Sequence, residues 1–98
     1  MTYDSHWVTG SRVPDIILVP ALTVEVVSGR YTPSALDAKA QRYLADGVRM
    51  VWVIDPAKRQ VTVYHGEQTS ILSGDDTLLG SDVIPGFEVP LTRLFGAA

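Results

Sequence analysis

The chain has no cysteine and only two histidines among its 98 residues. Disulfide staples and thiolate zinc sites are therefore excluded, and a reducing compartment, the cytoplasm, is the default expectation. Long apolar runs are missing as well. The longest, around Ile16 to Pro20 and Met50 to Ile54, fall far short of the roughly 20 residues that span a bilayer. The opening Met-Thr-Tyr-Asp-Ser-His-Trp lacks the basic region and apolar core of a secretory signal, so export is not expected. Nor is there an excess of basic charge. Eight Lys and Arg against eleven Asp and Glu give a formal net charge of −3, so a polyanionic partner would have to be held by a local patch or a bound cation. Glycine is scattered without forming a phosphate-binding loop. Ser28 and Ser34 lack a histidine or Gly-x-Ser-x-Gly context, which argues against a serine hydrolase.

What is present suits one small globular domain: 46% hydrophobic and 19% charged residues with no biased tract. Residues 1 to 11 lack periodicity and end in the Gly10-Ser11 breaker, so they are expected to be an irregular arm before a domain over 12 to 98. Val13 to Val19 and Leu22 to Val27 are β-branched, apolar and short, and Pro20-Ala21 between them predicts a hairpin. Thr32 followed by Pro33 supplies a cap and a first helical residue, with Ser34 and Asp37 as an alternative capping box. The helix should run from Pro33 to Asp46, end at Gly47, and bury Leu36, Ala40, Tyr43 and Leu44. Met50 to Ile54 and Gln60 to His65 read as a second hairpin around Asp55-Pro56, with Glu67 to Leu72 as a further edge strand. A short strand at Phe87 to Val89 and a helical turn at Leu91 to Phe95 complete the chain. The order β-β-α-β-β-β predicts an α+β fold, one main helix on a mixed sheet of about five to six strands.

Two carboxylates stand out inside these apolar strands, because an unpaired one there costs several kcal/mol by desolvation. A hairpin turning at residues 19 to 21 sets Asp15 opposite Glu25 with β-carbons about 5 Å apart. A divalent cation between them would remove both penalties, and hard oxygen ligands suit magnesium or manganese. The plainer alternative stays open, in which Asp15 starts its strand in solvent and Glu25 meets an arginine. Lys39 lies about 60° from Leu36 and about 40° from Tyr43 around the helix, on the flank of the apolar stripe. It can either snorkel to water or reach the sheet. Two carboxylates holding a metal beside a cation are the parts that phosphodiester hydrolysis needs.

Pro14-Asp15, Glu25-Val26-Val27-Ser28, Asp37 with Lys39 and Tyr43, Gly47-Val48, Val51 to Pro56, Val61 to Tyr64, Pro85-Gly86-Phe87 and Leu94-Phe95 resemble the Uma family of putative restriction endonucleases. The resemblance covers residues 12 to 95 and implies a restriction-endonuclease-like core of the PD-(D/E)XK superfamily. It is of the form in which the motif's lysine has moved from the strand to the next helix, so that Val27 fills the vacated slot. It further implies that Asp15 and Glu25 bind Mg2+ or Mn2+, that the Val26 carbonyl adds a ligand, and that Lys39 assists the attacking water on DNA. The chain departs from the family in two respects. Only 14 residues precede Asp15, and Pro20-Ala21-Leu22 stands where the family shows Pro-Asp-Leu. Asp55 matches a family aspartate, yet its expected role is to initiate the Asp-Pro turn.

The remaining candidates have plain readings. His65 should end its strand in solvent, His6 should pack locally, and Arg30, Arg42 and Arg49 should lie on a solvated surface. Trp52 and Tyr64 should serve packing. Two functional readings follow: a magnesium-dependent endonuclease acting on DNA, or a non-catalytic member of that fold serving as a binding or structural module. A nucleic-acid binder without cleavage is disfavoured by the acidic balance. Because one helix and a terminal turn leave much of a two-faced sheet uncovered, a homodimer or higher homo-oligomer is expected.

Overall fold

The structure, a computed structural model, describes residues 19 to 29 and 31 to 96. In chain order its elements are β1 (Leu22–Val26), α1 (Pro33–Ala45), β2 (Met50–Asp55), β3 (Gln60–His65), β4 (Gln68–Leu72), β5 (Thr77–Leu79), β6 (Glu88–Pro90) and the short α2 (Leu91–Leu94). Strands β1 to β4 form a four-stranded sheet in that order, and β5 pairs with β6 in a separate two-stranded sheet.

Helix α1 begins where side-chain chemistry allows. The Thr32 hydroxyl accepts from the Ala35 N–H at 3.1 Å, and Pro33, which has no N–H to satisfy, follows it. It stops at Gly47, whose φ of 104° sits in the left-handed region open to glycine. The chain then enters β2, which runs parallel to β1 with Thr23 beside Val51 and Glu25 beside Val53. Parallel neighbours require a crossover, and α1 is that crossover. The remaining pairs are antiparallel, and the turn between β2 and β3 is held by the Lys58 N–H donating to Asp55 Oδ1 at 3.1 Å.

Side-chain alternation divides the core in two. On one face Leu36, Ala40 and Tyr43 of α1 pack on Val51, Val53 and Tyr64. On the other, Met50, Trp52 and Val61 are covered by Leu78 and Leu91, which brings the small sheet and α2 against the large one. The segment between β5 and β6 approaches closely: a β-carbon on Gly80 would collide with the Ile84 carbonyl oxygen. Leu36 is 1% exposed, and truncating such a leucine to alanine costs about 2–5 kcal/mol.

The α+β class, the helix limits and the second hairpin agree with the sequence reading. The strands, however, divide between two sheets rather than joining one. Thr77–Leu79 forms a strand that no sequence signal marked. Within the expected hairpin Val13 to Val27, only Val19 and the residues after it are described, and β1 has its single described neighbour in β2. The arm at 1 to 11, with His6, also lies outside the described residues.

Candidate active site

Glu25 is the one buried carboxylate among the described residues, 4% exposed, on the α1 side of β1. Alternation puts Thr23 and Glu25 on this face, beneath the helix, while Leu22, Val24 and Val26 face the other way. The helix supplies both partners. Tyr43, in the buried stripe, donates its hydroxyl to Glu25 Oε2 at 2.7 Å. Lys39, one turn earlier on the flank of the stripe, brings Nζ to 3.4 Å from the same oxygen. Its side chain is 35% exposed, so the ammonium stands at a boundary, with the carboxylate on its inner side and solvent on its outer side. Two rings flank it, Tyr31 at 5.8 Å and Tyr43 at 6.0 Å from ring centre to Nζ, where their negative faces favour a cation.

A second tyrosine-carboxylate bond fixes α1 over the sheet. Tyr64 on β3 donates to Asp37 Oδ1 at 2.6 Å. Burial, the bond to Asp37 and the charge of Asp37 together push the Tyr64 hydroxyl well above its ordinary pKa. Strand tyrosine to helix aspartate and helix tyrosine to strand glutamate run in opposite directions across one interface. Together they set the helix register that places Lys39 at Glu25.

Among the residues singled out in the sequence, Glu25 and Lys39 come together and Asp15 lies outside the described residues. Val26 ends β1, with its side chain half exposed. Among the described residues no three His, Cys, Asp or Glu side chains cluster closely enough to hold a metal by themselves. The donor chemistry at Glu25 nevertheless suits a hard cation. Its Oε1 takes no hydrogen bond or ion pair from the described residues, because both partners use Oε2.

Periodicity alone places Tyr43 in the buried stripe of α1 and gives it no further role. The signal for its role is the hydroxyl, since a buried tyrosine oxygen needs a partner. His65 does not end in solvent: its Nε2 lies 3.0 Å from Asp82 Oδ1, and Arg49 reaches Asp82 Oδ2 at 2.8 Å. These contacts join the end of β3 to the loop before β6, away from Glu25. Asp55 serves its turn, and Trp52 packs against Phe87 at 5.4 Å between ring centres.

Residues 3–92 match the family model Uma2, whose description is "Putative restriction endonuclease". Among solved structures, the chain is similar to the crystal structure of a putative nuclease belonging to DUF820 from Anabaena variabilis ATCC 29413. The TM-score is 0.72 and the sequence identity 24%, over 83% of this chain and 47% of that one. The chain therefore spans less than half the length of that neighbour, and the likeness is one of fold. No curated protein matches in sequence. With the family model covering nearly the whole chain, the protein belongs to the Uma2 family of restriction-endonuclease-like proteins.

Proposed function

We propose that the protein is a divalent-metal-dependent nuclease that hydrolyses phosphodiester bonds in DNA, with its centre at Glu25. The observation that carries the reading is a buried carboxylate with the ammonium of a one-third-exposed lysine 3.4 Å away. Asp15, Glu25 and the Val26 carbonyl would hold Mg2+ or Mn2+, as hard oxygen donors do. A cation held there would supply Lewis acidity, making a water easier to deprotonate and offsetting negative charge on the phosphoryl oxygens. Lys39 cannot be a ligand while protonated. Its ammonium instead orients the attacking water and offsets negative charge on the phosphoryl oxygens. The rings of Tyr31 and Tyr43 keep that charge beside the carboxylate, and Tyr64 with Asp37 keeps the helix in place above it.

A second reading has an observation of its own. Glu25 Oε2 is already partnered twice, so the carboxylate is partly compensated without any ion. That arrangement would also serve a non-catalytic scaffold of the same fold. Purified wild type and Glu25→Gln, assayed on plasmid and single-stranded DNA, separate the two. Cleavage by wild type alone, with Mg2+ or Mn2+ and not with Ca2+, supports the nuclease. Equal nicking by both proteins indicates a contaminant, and no cleavage by either with no metal heat signal supports the scaffold.

A further inference from the structure

We propose that the Tyr43 hydroxyl restricts Glu25 to one metal-binding oxygen and thereby sets which divalent cation the centre prefers. The inference rests on the reading above, in which Glu25 is a metal ligand. A carboxylate offers two oxygens with roughly four lone-pair directions between them. At Glu25 both protein partners take the same oxygen: Tyr43 donates to Oε2 at 2.7 Å, and Lys39 lies 3.4 Å from it. Tyr43 takes a lone-pair direction of Oε2 and the Lys39 charge lies beside the same oxygen, while Oε1 has no partner among the described residues.

The arrangement resists rotation. Glu25 and Tyr43 are each 4% exposed, so water cannot replace the bond if the carboxylate turns. Tyr43 is locked in the stripe that packs α1 on Val51 and Val53, so its hydroxyl cannot follow a turning carboxylate. Chelation by both oxygens would therefore break a buried, charge-assisted hydrogen bond, one of the stronger kinds. Cations differ in how much they need that chelation. Ca2+ has a large flexible shell and takes carboxylates through two oxygens readily, whereas Mg2+ demands a small octahedron and takes them through one. Withholding Oε2 thus penalises Ca2+ more than Mg2+ or Mn2+. Tyr43 acts here as a positioning residue, through Glu25.

The test is calorimetric titration of the full 98-residue chain with MnCl2 and with CaCl2, for wild type, Tyr43→Phe and Glu25→Gln. Wild type should bind Mn2+ more tightly than Ca2+. Tyr43→Phe removes only the hydroxyl and should narrow that preference about tenfold, mainly through tighter Ca2+ binding, a size typical for partners of metal ligands. An unchanged preference in Tyr43→Phe, with binding lost in Glu25→Gln, overturns the role of Tyr43 and leaves Glu25 as a ligand. Binding unaffected by Glu25→Gln overturns the reading on which the inference rests. Should Tyr43→Phe fail to fold by circular dichroism, infrared spectra of Mg2+-loaded wild type decide instead. The carboxylate bands absent from Glu25→Gln must show one-oxygen coordination, and the two-oxygen pattern overturns the proposal.

Discussion

Neutralising Glu25 should leave the metal-free protein as stable as before or make it more so. Glu25→Gln keeps the shape of the side chain and still lets Tyr43 donate to an amide oxygen. What disappears is a buried charge and its attraction to Lys39. At 3.4 Å and an effective dielectric near 20, the gross attraction is about 5 kcal/mol. A side chain that is 35% exposed forfeits much of this to solvent screening and to the entropy of holding a lysine still. Against the remainder stands the desolvation of a carboxylate that is 4% exposed, several kcal/mol for a buried ion. The freed Lys39 can turn to water at little cost. The balance predicts a gain between zero and about 2 kcal/mol, and for a domain of this size each kcal/mol raises Tm by about 4–8 °C. Thermal and urea unfolding of wild type and Glu25→Gln, in the presence of a chelator, measures it. A loss of more than about 1 kcal/mol, larger than the usual worth of a solvent-screened ion pair, would mean that Glu25 is held for stability and would refute the reasoning.

Other expectations follow from particular side chains. Thr23 is buried and its hydroxyl has no partner among the described residues, so Thr23→Val should be neutral or stabilising by up to about 1 kcal/mol in urea unfolding. Tyr64→Phe should cost about 1 kcal/mol, because Asp37 is exposed and regains water when its partner is removed. The raised pKa of Tyr64 favours its protonated form in the folded state. Its contribution is therefore complete below the unfolded value of 10.0 and should be lost progressively as pH rises above it, measurable as an unfolding free energy that falls more steeply in wild type than in Tyr64→Phe. Lys39→Ala should slow cleavage on the order of 10²-fold while leaving the Mn2+ affinity nearly unchanged, since an ammonium acts on water and phosphate and not as a ligand. Ile71 on β4 is 64% exposed on the α1 side of the sheet, and light scattering should find a dimer or larger assembly, a strict monomer at micromolar concentration counting against it.

What could be read from the sequence was local. Thr32-Pro33 and Gly47 mark the ends of α1 through side-chain and backbone preferences that need no tertiary context, and the structure places the helix between them. The 3.6-residue period put Lys39 on the flank of the buried stripe, and its ammonium reaches Glu25 from there. Thr77–Leu79 carries no sequence signal because three residues are too few to show alternation, and its pairing with Glu88–Pro90 is fixed by packing of Leu78 against Met50 and Trp52. The roles of Tyr43 and Tyr64 were hidden for another reason. Periodicity reports which side chains are buried, while the partner of a buried hydroxyl depends on which strand lies beneath the helix. The Arg49–Asp82–His65 cluster joins residues far apart in sequence and has no local signature at all.

The central claim is that Glu25 is a metal ligand in a phosphodiesterase centre, and a crystal structure of the protein soaked in Mn2+ tests it most directly. The account predicts an anomalous-difference peak that Glu25 Oε1 and Asp15 share as ligands, with Lys39 beside the ion and not bound to it. A map without such a peak at millimolar Mn2+, in which Glu25 contacts only Tyr43 and Lys39, would contradict it.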